Sequence, residues 1–203
     1  MYFDEIATKW DTQRRIIRAK VLADSIFKKL DNPEKITALE IGCGTGLISF
    51  ELSDKVHEIY CVDESKEMLN VINEKIVNTD IHNIFPFGID FLNKNNYHKK
   101  FDLIYSSMVF HHITDIENEL KKLHKFLKEN GYLIIIDLDI VDEKFHIEEK
   151  DFNGHHGFEH IDLQKAIDKS GFHNISFQTV YKGEKSINNE IIPYSLFLCS
   201  ARE

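Results

Sequence analysis

The stretch ALEIGCGTGL, residues 38–47, places three glycines at every second position after a carboxylate. Glu40 is followed by Gly42, Gly44 and Gly46. Glycine weakens strands and helices alike, so three of them here predict a backbone that another group approaches closely. A glycine-rich turn from a strand into a helix exposes N–H groups at the positive helix end, which is typical of a ligand-binding loop.

Other acidic, hydroxyl and imidazole side chains follow further apolar stretches of the chain. A carboxylate at a strand end can accept two ligand hydroxyls through charge-assisted hydrogen bonds. A histidine can exchange a proton near neutral pH. The residues at such positions are Asp63, Asp90, Ser106, Ser107, His111 and His112.

The elements that carry these residues alternate between strand and helix patterns. The expected strands are 36–41, 58–63, 83–90, 101–107, 132–138, 175–181 and 194–200. Helices are expected from near Asp11 as N-cap, over 46–54 and 65–77, from a capping box of Thr114 and Glu117, and over 162–171. This order predicts an α/β fold with a mostly parallel seven-stranded sheet, helices on both faces and a C-terminal antiparallel hairpin. In such sheets ligands bind at the carboxyl ends of the strands, which gathers the residues above on one rim.

Two ligand classes use a glycine-rich first turn. The dinucleotide fingerprint G-x-G-x-x-G requires its third glycine where this chain has Leu47. An NAD(P)-dependent oxidoreductase is therefore the weaker alternative.

Glu40-Ile-Gly42-Cys-Gly44-Thr-Gly46 resembles motif I of the class I S-adenosylmethionine-dependent methyltransferases. The segments FDEIATKWD, FDLIYSSMVFHHI and NGYLIIID resemble the small-molecule branch of that family, the ubiquinone/menaquinone-biosynthesis type. The resemblance implies a Rossmann-like methyltransferase fold and S-adenosyl-L-methionine as cofactor. It implies that Asp63 holds the ribose hydroxyls and that Asp90 accepts the adenine amino group. The full set of expected cofactor contacts is Glu40, Gly42, Gly44, Gly46, Asp63, Glu64, Met68, Asp90, Phe91, Ser106 and Ser107.

Candidates for the transfer step follow the fourth strand. Displacement at a methyl carbon mainly requires alignment, and a base is needed only if the acceptor arrives protonated. We expect His112 to be that base and His111 to be the second candidate; either could instead cap a helix or stack on the cofactor. The polar segment 142–160 could form a lid, with His155, His156 and Phe158 against the acceptor. An N-terminal cap, residues 1–35, could bring Trp10 to the pocket, or Trp10 could simply anchor the first helix.

Composition narrows the other expectations. The chain has 203 residues, enough for one domain, and a formal net charge of −9, which argues against a nucleic-acid partner. Unpaired cysteines and the absence of a signal or membrane-spanning pattern predict a cytoplasmic protein without a membrane partner.

His156 and His160 have metal-ligand spacing, but Gly154 and Gly157 argue against a helix there, so no metal is expected. The expected function is methyl transfer to a small molecule; the alternative is a fold relative that binds the cofactor without turnover. Nothing in the pattern fixes an oligomeric state.

Overall fold

A computed structural model describes residues 2–149 and 152–203. Seven strands and six α-helices form its framework, joined by single-turn 3₁₀ helices. The strands are β1 Thr37–Ile41, β2 Glu58–Asp63, β3 Ile84–Gly88, β4 Phe101–Ser107, β5 Leu127–Leu138, β6 His173–Ile187 and β7 Glu190–Arg202. The helices are α1 Tyr2–Ile6, α2 Gln13–Phe27, α3 Leu47–Leu52, α4 Lys66–Val77, α5 Ile116–Phe126 and α6 His160–Lys169.

The strands form one sheet in the order β3-β2-β1-β4-β5-β7-β6. Strands β1 to β5 pair in parallel, whereas β7 runs antiparallel to both β5 and β6. The expected fold class is therefore confirmed, including the C-terminal hairpin. The proline-containing strand β3 lies at one edge of the sheet, where the missing N–H is tolerated. Because the chain moves outward from β1 to β3 and then returns to β4, the strand order reverses between β1 and β4. The carboxyl ends of these two strands flank the crevice of the fold.

Two apolar layers enclose the sheet. Helices α2, α3 and α4 cover one face through buried residues such as Leu22, Leu52 and Ile72. Helices α5 and α6 cover the other through Leu120 and Leu163. Both faces of the parallel strands are thus removed from water, as a parallel sheet requires. None of the helices in the described part of the chain has the length and apolarity needed to cross a bilayer.

Two expected helix starts are wrong by one residue. Thr12 caps α2 by accepting from Arg15 N, and Asp115 caps α5 by accepting from Asn118 N. The expected caps were Asp11 and Thr114. Asp11 instead contacts the glycine loop, a tertiary interaction that local cap preferences cannot reveal.

Gly46 provides a test of the packing at the start of α3. It has a φ of 78°, and a Cβ at this position would lie 2.5 Å from Ile72 Cδ1. We expect Gly46→Ala to lower the free energy of unfolding by about 1–3 kcal/mol, because both overpacking and the left-handed backbone oppose the methyl group. Urea denaturation measures this change.

Gly88→Ala is the matched control, because no atom lies within 4 Å of a Cβ at Gly88. The control should leave stability unchanged or raise it by up to about 1 kcal/mol. Equal stability of the two variants would contradict the packing described for Gly46.

Candidate functional site

A cavity of about 510 Å³ opens at the carboxyl ends of β1, β2 and β4. Its volume lies within the range of small-molecule sites. The glycine loop, the end of β2 and the first turn of α4 form one end, which we call the loop end; its residues include Gly44, Asp63, Glu64 and Met68. Helix α2 and the β6–β7 hairpin form the other, which we call the hairpin end; its residues include Arg18, Phe145, Lys185 and Tyr194. His111 and His112 also line the cavity.

The three glycines of the loop have different surroundings. A Cβ at Gly42 would lie 2.2 Å from Val109 Cγ2, so the protein itself fills the space beside Gly42 as it does beside Gly46. A Cβ at Gly44 would meet only Trp10 Nε1 at 3.8 Å and Met68 Sδ at 4.0 Å, both of which line the cavity. Gly42 and Gly44 both line the cavity, but only at Gly44 is the Cβ position open, whereas Gly42 and Gly46 permit close packing of the loop.

Asp63 joins the glycine loop to the start of α4. Its Oδ2 accepts from Gly44 N at 2.7 Å, and its Oδ1 accepts from Ser65 N at 2.8 Å. Burial raises the pKa of Asp63, although the two backbone N–H donors oppose this effect. Each carboxylate oxygen has a second lone pair, so Asp63 can hold the loop and still accept from a ligand hydroxyl.

Glu40 has partners inside the protein. Its Oε2 accepts from Ser49 Oγ and, at 3.1 Å, from the hydroxyl of Tyr105. Burial raises the pKa of Glu40 to about 8, so the protonated form persists in the folded protein at neutral pH. Because these hydroxyls satisfy the buried carboxyl group, its burial alone no longer argues for a ligand at Glu40.

The remaining expected cofactor contacts divide into two groups. Glu64, Met68 and Ser107 line the cavity. Ser106, Phe91 and Asp90 do not: Ser106 Oγ donates to Ile41 O at 3.0 Å, and Phe91 packs between Phe87 and Tyr97. Asp90 is exposed in the turn after β3.

The physical reason for this difference is strand alternation together with tight turns. Successive side chains of a strand point to opposite faces, so Ser107 faces the cavity while its neighbour Ser106 does not. The cavity wall after β3 is formed by Ile89.

The N-terminal segment covers the loop end. Asp4 accepts from Ser65 Oγ at 2.6 Å, and Asp11 accepts from Thr45 Oγ1 at 2.5 Å. Lys75 pairs with Asp11 at 2.5 Å. Tyr2, Phe3 and Trp10 line the cavity from this side.

His111 and His112 differ in their surroundings. His111 Nδ1 lies 2.6 Å from Oδ1 of Asp137, a carboxylate fully removed from solvent. Oδ1 of Asp137 also accepts from Leu138 N and Oδ2 from His111 N. A carboxylate that accepts from Nδ1–H leaves Nε2 as the basic nitrogen, and no described residue hydrogen-bonds to His111 Nε2. The buried aspartate therefore both orients the ring and fixes its tautomer.

His112 is more exposed than His111 and lacks such a partner. Burial and the neighbouring His111 lower the pKa of His112 to about 4. Its ring contacts Phe3 and Phe152, and Glu149 Oε2 lies 3.8 Å from its Nε2. The geometry therefore favours His111 over His112 as a base, the reverse of the order expected from the sequence.

The segment 142–160 contributes its first half to the cavity; residues 150 and 151 lie outside the described residues. Phe145, Glu148 and Glu149 line the cavity, but His155, His156 and Phe158 do not. His155 N donates to His111 O at 2.6 Å, and Phe158 N donates to Leu138 O at 2.9 Å. These backbone hydrogen bonds fix the segment that carries His155, His156 and Phe158. The side chains of these three residues therefore lie beside the cavity and do not line it.

Sequence reasoning missed the basic residues of the cavity, which are Arg14, Arg15, Arg18 and Lys185. Arg15 and Arg18 lie at helical spacing with the buried residues Ala19 and Leu22 of α2. This spacing was the sequence signal that could have placed the two arginines on the buried side of α2. Within the described residues no group of three metal-ligating side chains comes together.

Comparison with known proteins agrees with this geometry. Residues 39–133 match the family model described as a methyltransferase domain. An uncharacterized methyltransferase of Schizosaccharomyces pombe is 35% identical over 118 residues, which cover 55% of this chain and 42% of that protein. The ubiquinone biosynthesis O-methyltransferase of Pelagibacter ubique is 29% identical over 126 residues, covering 62% of this chain and 52% of that protein. The chain thus spans about half the length of the curated relatives it matches.

The solved structures establish the fold class. A SAM-dependent methyltransferase from Aquifex aeolicus superimposes with a TM-score of 0.67 at 19% identity, and each chain covers 97% of the other. Fold, loop and family model together define a Rossmann-like methyltransferase domain. Residues 39–133 thus match a methyltransferase domain, and the fold is that of solved S-adenosylmethionine-dependent methyltransferases, in line with the sequence resemblance.

The buried carboxyl group of Glu40 predicts a particular pH dependence of stability. The folded protein holds this proton more tightly than the unfolded chain, so the free energy of unfolding falls as the pH rises from about 4.5 to about 8. The slope from one such group is at most about 1.4 kcal/mol per pH unit. Gln at this position keeps an acceptor for Ser49 and Tyr105 but cannot ionise. We expect Glu40→Gln to gain stability relative to the wild type across this window in urea denaturation.

Glu34→Gln is the control, because Glu34 is exposed in the turn before β1. Its pH profile should parallel that of the wild type. Parallel profiles for Glu40→Gln and the wild type would contradict the protonated state of Glu40.

Proposed function

We propose that this chain transfers the methyl group of S-adenosyl-L-methionine to a small-molecule acceptor. The observation that carries the proposal is the loop end: the open backbone of Gly44 and the Asp63 carboxylate face one cavity. The cofactor offers a ribose diol and an amino-acid tail, which match a strand-end carboxylate and exposed main chain. When bound, it supplies an electrophilic methyl group on a sulfonium.

The loop end fits this cofactor on its own geometry. Asp63 retains free lone pairs for hydroxyl groups, and Gly44 leaves room for a ligand beside Trp10 and Met68. Leu47, at the position of the third glycine of a dinucleotide site, begins α3 and lines the cavity. Its side chain occupies space where a pyrophosphate would need bare main chain, which favours the sulfonium cofactor over a dinucleotide.

The chain contributes orientation, desolvation and a base. The N-terminal segment excludes water over the loop end, and His111 Nε2 can accept the proton of a hydroxyl or ammonium acceptor. Asp137 stabilises the resulting imidazolium without leaving its buried position. The proposal treats residues 1–203 as one domain and places the protein in the cytoplasm, which the three free, buried cysteines support.

Binding and turnover can be tested separately. Thermal-shift assays should show stabilisation by S-adenosylhomocysteine and none by NAD. Labelled S-adenosylmethionine incubated with a mixed metabolite extract should then yield a labelled product. Stabilisation by NAD would favour an oxidoreductase, and tight nucleoside binding without any product would favour a non-catalytic relative.

Asp63 is the first residue to test. We expect Asp63→Asn to weaken binding of S-adenosylhomocysteine by about 1.5–3 kcal/mol, the range for hydrogen bonds to a charged group. Isothermal titration calorimetry on the variant, checked for an unchanged fold by circular dichroism, measures the loss. Asp80→Asn, on an exposed turn, is the control and should bind like the wild type. An unchanged dissociation constant for Asp63→Asn would remove this residue from the site.

The His111–Asp137 pair is the second feature of the site to test. His111→Asn should lower kcat by about 10²–10⁴, the contribution typical of a general base, and leave the cofactor dissociation constant unchanged. His112→Asn should lower kcat less, because the neutral ring of His112 has no carboxylate at hydrogen-bonding distance. Initial rates of label transfer to the extract-derived acceptor compare the two variants. A larger loss for His112→Asn would reverse the assignment.

A further inference from the structure

The hairpin end of the cavity carries an accumulation of cationic side chains that cofactor binding does not require. Arg14, Arg15 and Arg18 extend from α2, and Lys185 extends from β6 opposite them. Arg15, Arg18 and Lys185 are half-buried, whereas Arg14 is exposed at the rim.

Hydrogen bonds show which end each cation faces. Arg18 Nη1 lies 3.3 Å from the Tyr194 hydroxyl of β7, and Lys185 Nζ donates to Phe145 O at 2.6 Å. Both groups are therefore held at the hairpin end. Arg14 Nη1 donates to Glu184 O at 2.8 Å on the same side.

Arg15 turns the other way. Its guanidinium lies 3.8 Å over the Trp10 ring, and its Nη1 donates to Trp10 O at 3.1 Å. Trp10 in turn borders the open side of Gly44. Arg15 is therefore next to the loop end, separate from Arg18 and Lys185.

The charges at the hairpin end are only partly paired. Among residues 2–149 and 152–203 no ion pair joins a carboxylate to Arg14, Arg15 or Arg18, and Lys185 pairs with the exposed Glu148 at 3.9 Å. Burial lowers the pKa of Lys185, and the carboxylates of Glu149 and Glu148 oppose that effect. Burial raises the pKa of Glu149, and the nearby Lys185 opposes that effect. Half-buried cations whose charge is incompletely paired are costly, and an anionic ligand would supply the missing counter-charge.

We propose that the hairpin end binds an anionic group of the methyl acceptor, a carboxylate or a phosphate, through Arg18 and Lys185 with Arg14 at the rim. This inference rests on the proposed methyl transfer, and it adds the charge of the substrate. Arg18 offers a planar fork that matches either oxyanion, and Lys185 offers a point charge. The reacting group of the acceptor then lies between this anchor and the loop end, on the side lined by His111.

Anion binding can be measured without knowing the acceptor. Inorganic phosphate and malonate are titrated by calorimetry into the protein saturated with S-adenosylhomocysteine. We expect at least one to bind, and Arg18→Gln/Lys185→Gln to bind it about 10–100-fold more weakly, as the loss of charged hydrogen bonds implies. Lys20→Gln, on an exposed position of α2, is the matched control and should bind like the wild type. The stronger of the two anions indicates the source of the charge.

Three results would overturn the proposal. They are heat from neither anion, equal binding by the double variant, and a loss in S-adenosylhomocysteine affinity in place of anion affinity. The last would assign Arg18 and Lys185 to the carboxylate of the cofactor. Unchanged affinity for the nucleoside also shows that the double variant is folded.

A turnover assay tests the charge of the acceptor independently of the calorimetry. A metabolite extract is separated on an anion exchanger, and each fraction is incubated with enzyme and labelled S-adenosylmethionine. Label should enter the retained fraction; label only in the unretained fraction contradicts an anionic acceptor. Label in neither fraction contradicts the methyl transfer itself, while the calorimetric result still decides whether the anion site exists.

Discussion

The hydrogen bond from Gly44 N to Asp63 Oδ2 is the interaction on which the site depends. It ties the loop after β1 to the end of β2, so the backbone of one strand end and the carboxylate of the next keep a fixed separation. The same carboxylate accepts from Ser65 N and thereby sets the start of α4. Gly42 and Gly46 allow Val109 and Ile72 to pack against the loop from either side. A ligand therefore meets a loop that is already ordered, which lowers the entropic cost of binding.

From this fixed loop the cavity continues to a chemically different end. The loop end offers hydrogen-bond acceptors and bare main chain, whereas the hairpin end offers guanidinium and ammonium groups. His111, held by the buried Asp137, lines the same cavity. A methyl transfer requires a cofactor and an acceptor held in line with water excluded, and two ends with distinct chemistry can orient two different molecules. The N-terminal segment completes the enclosure through Asp4 and Asp11, which bind Ser65 and Thr45.

The sequence predicted the sheet, its hairpin and the glycine loop, because strand alternation and glycine spacing are local signals. It also placed Asp63 at the cavity. It could not separate Ser106 from Ser107, since the facing of a strand residue depends on register. Phe91 was misplaced because an aromatic cluster around Tyr60 takes it into the core. The preference for His112 failed to anticipate Asp137, a partner 26 residues distant in the chain. From the sequence alone Glu40 had no hydrogen-bond partner, because only the fold brings Ser49 and Tyr105 to it. The basic residues of α2 were missed because their helical spacing does not show that β6 and β7 lie opposite them across a cavity.

The most direct measurement is a crystal structure of the protein with S-adenosylhomocysteine. The account predicts ribose hydroxyls on the Asp63 carboxylate, the amino-acid tail over Gly44, and the sulfur facing the space bordered by His111. A nucleoside bound elsewhere, or Asp63 directed away from the sugar, would contradict it.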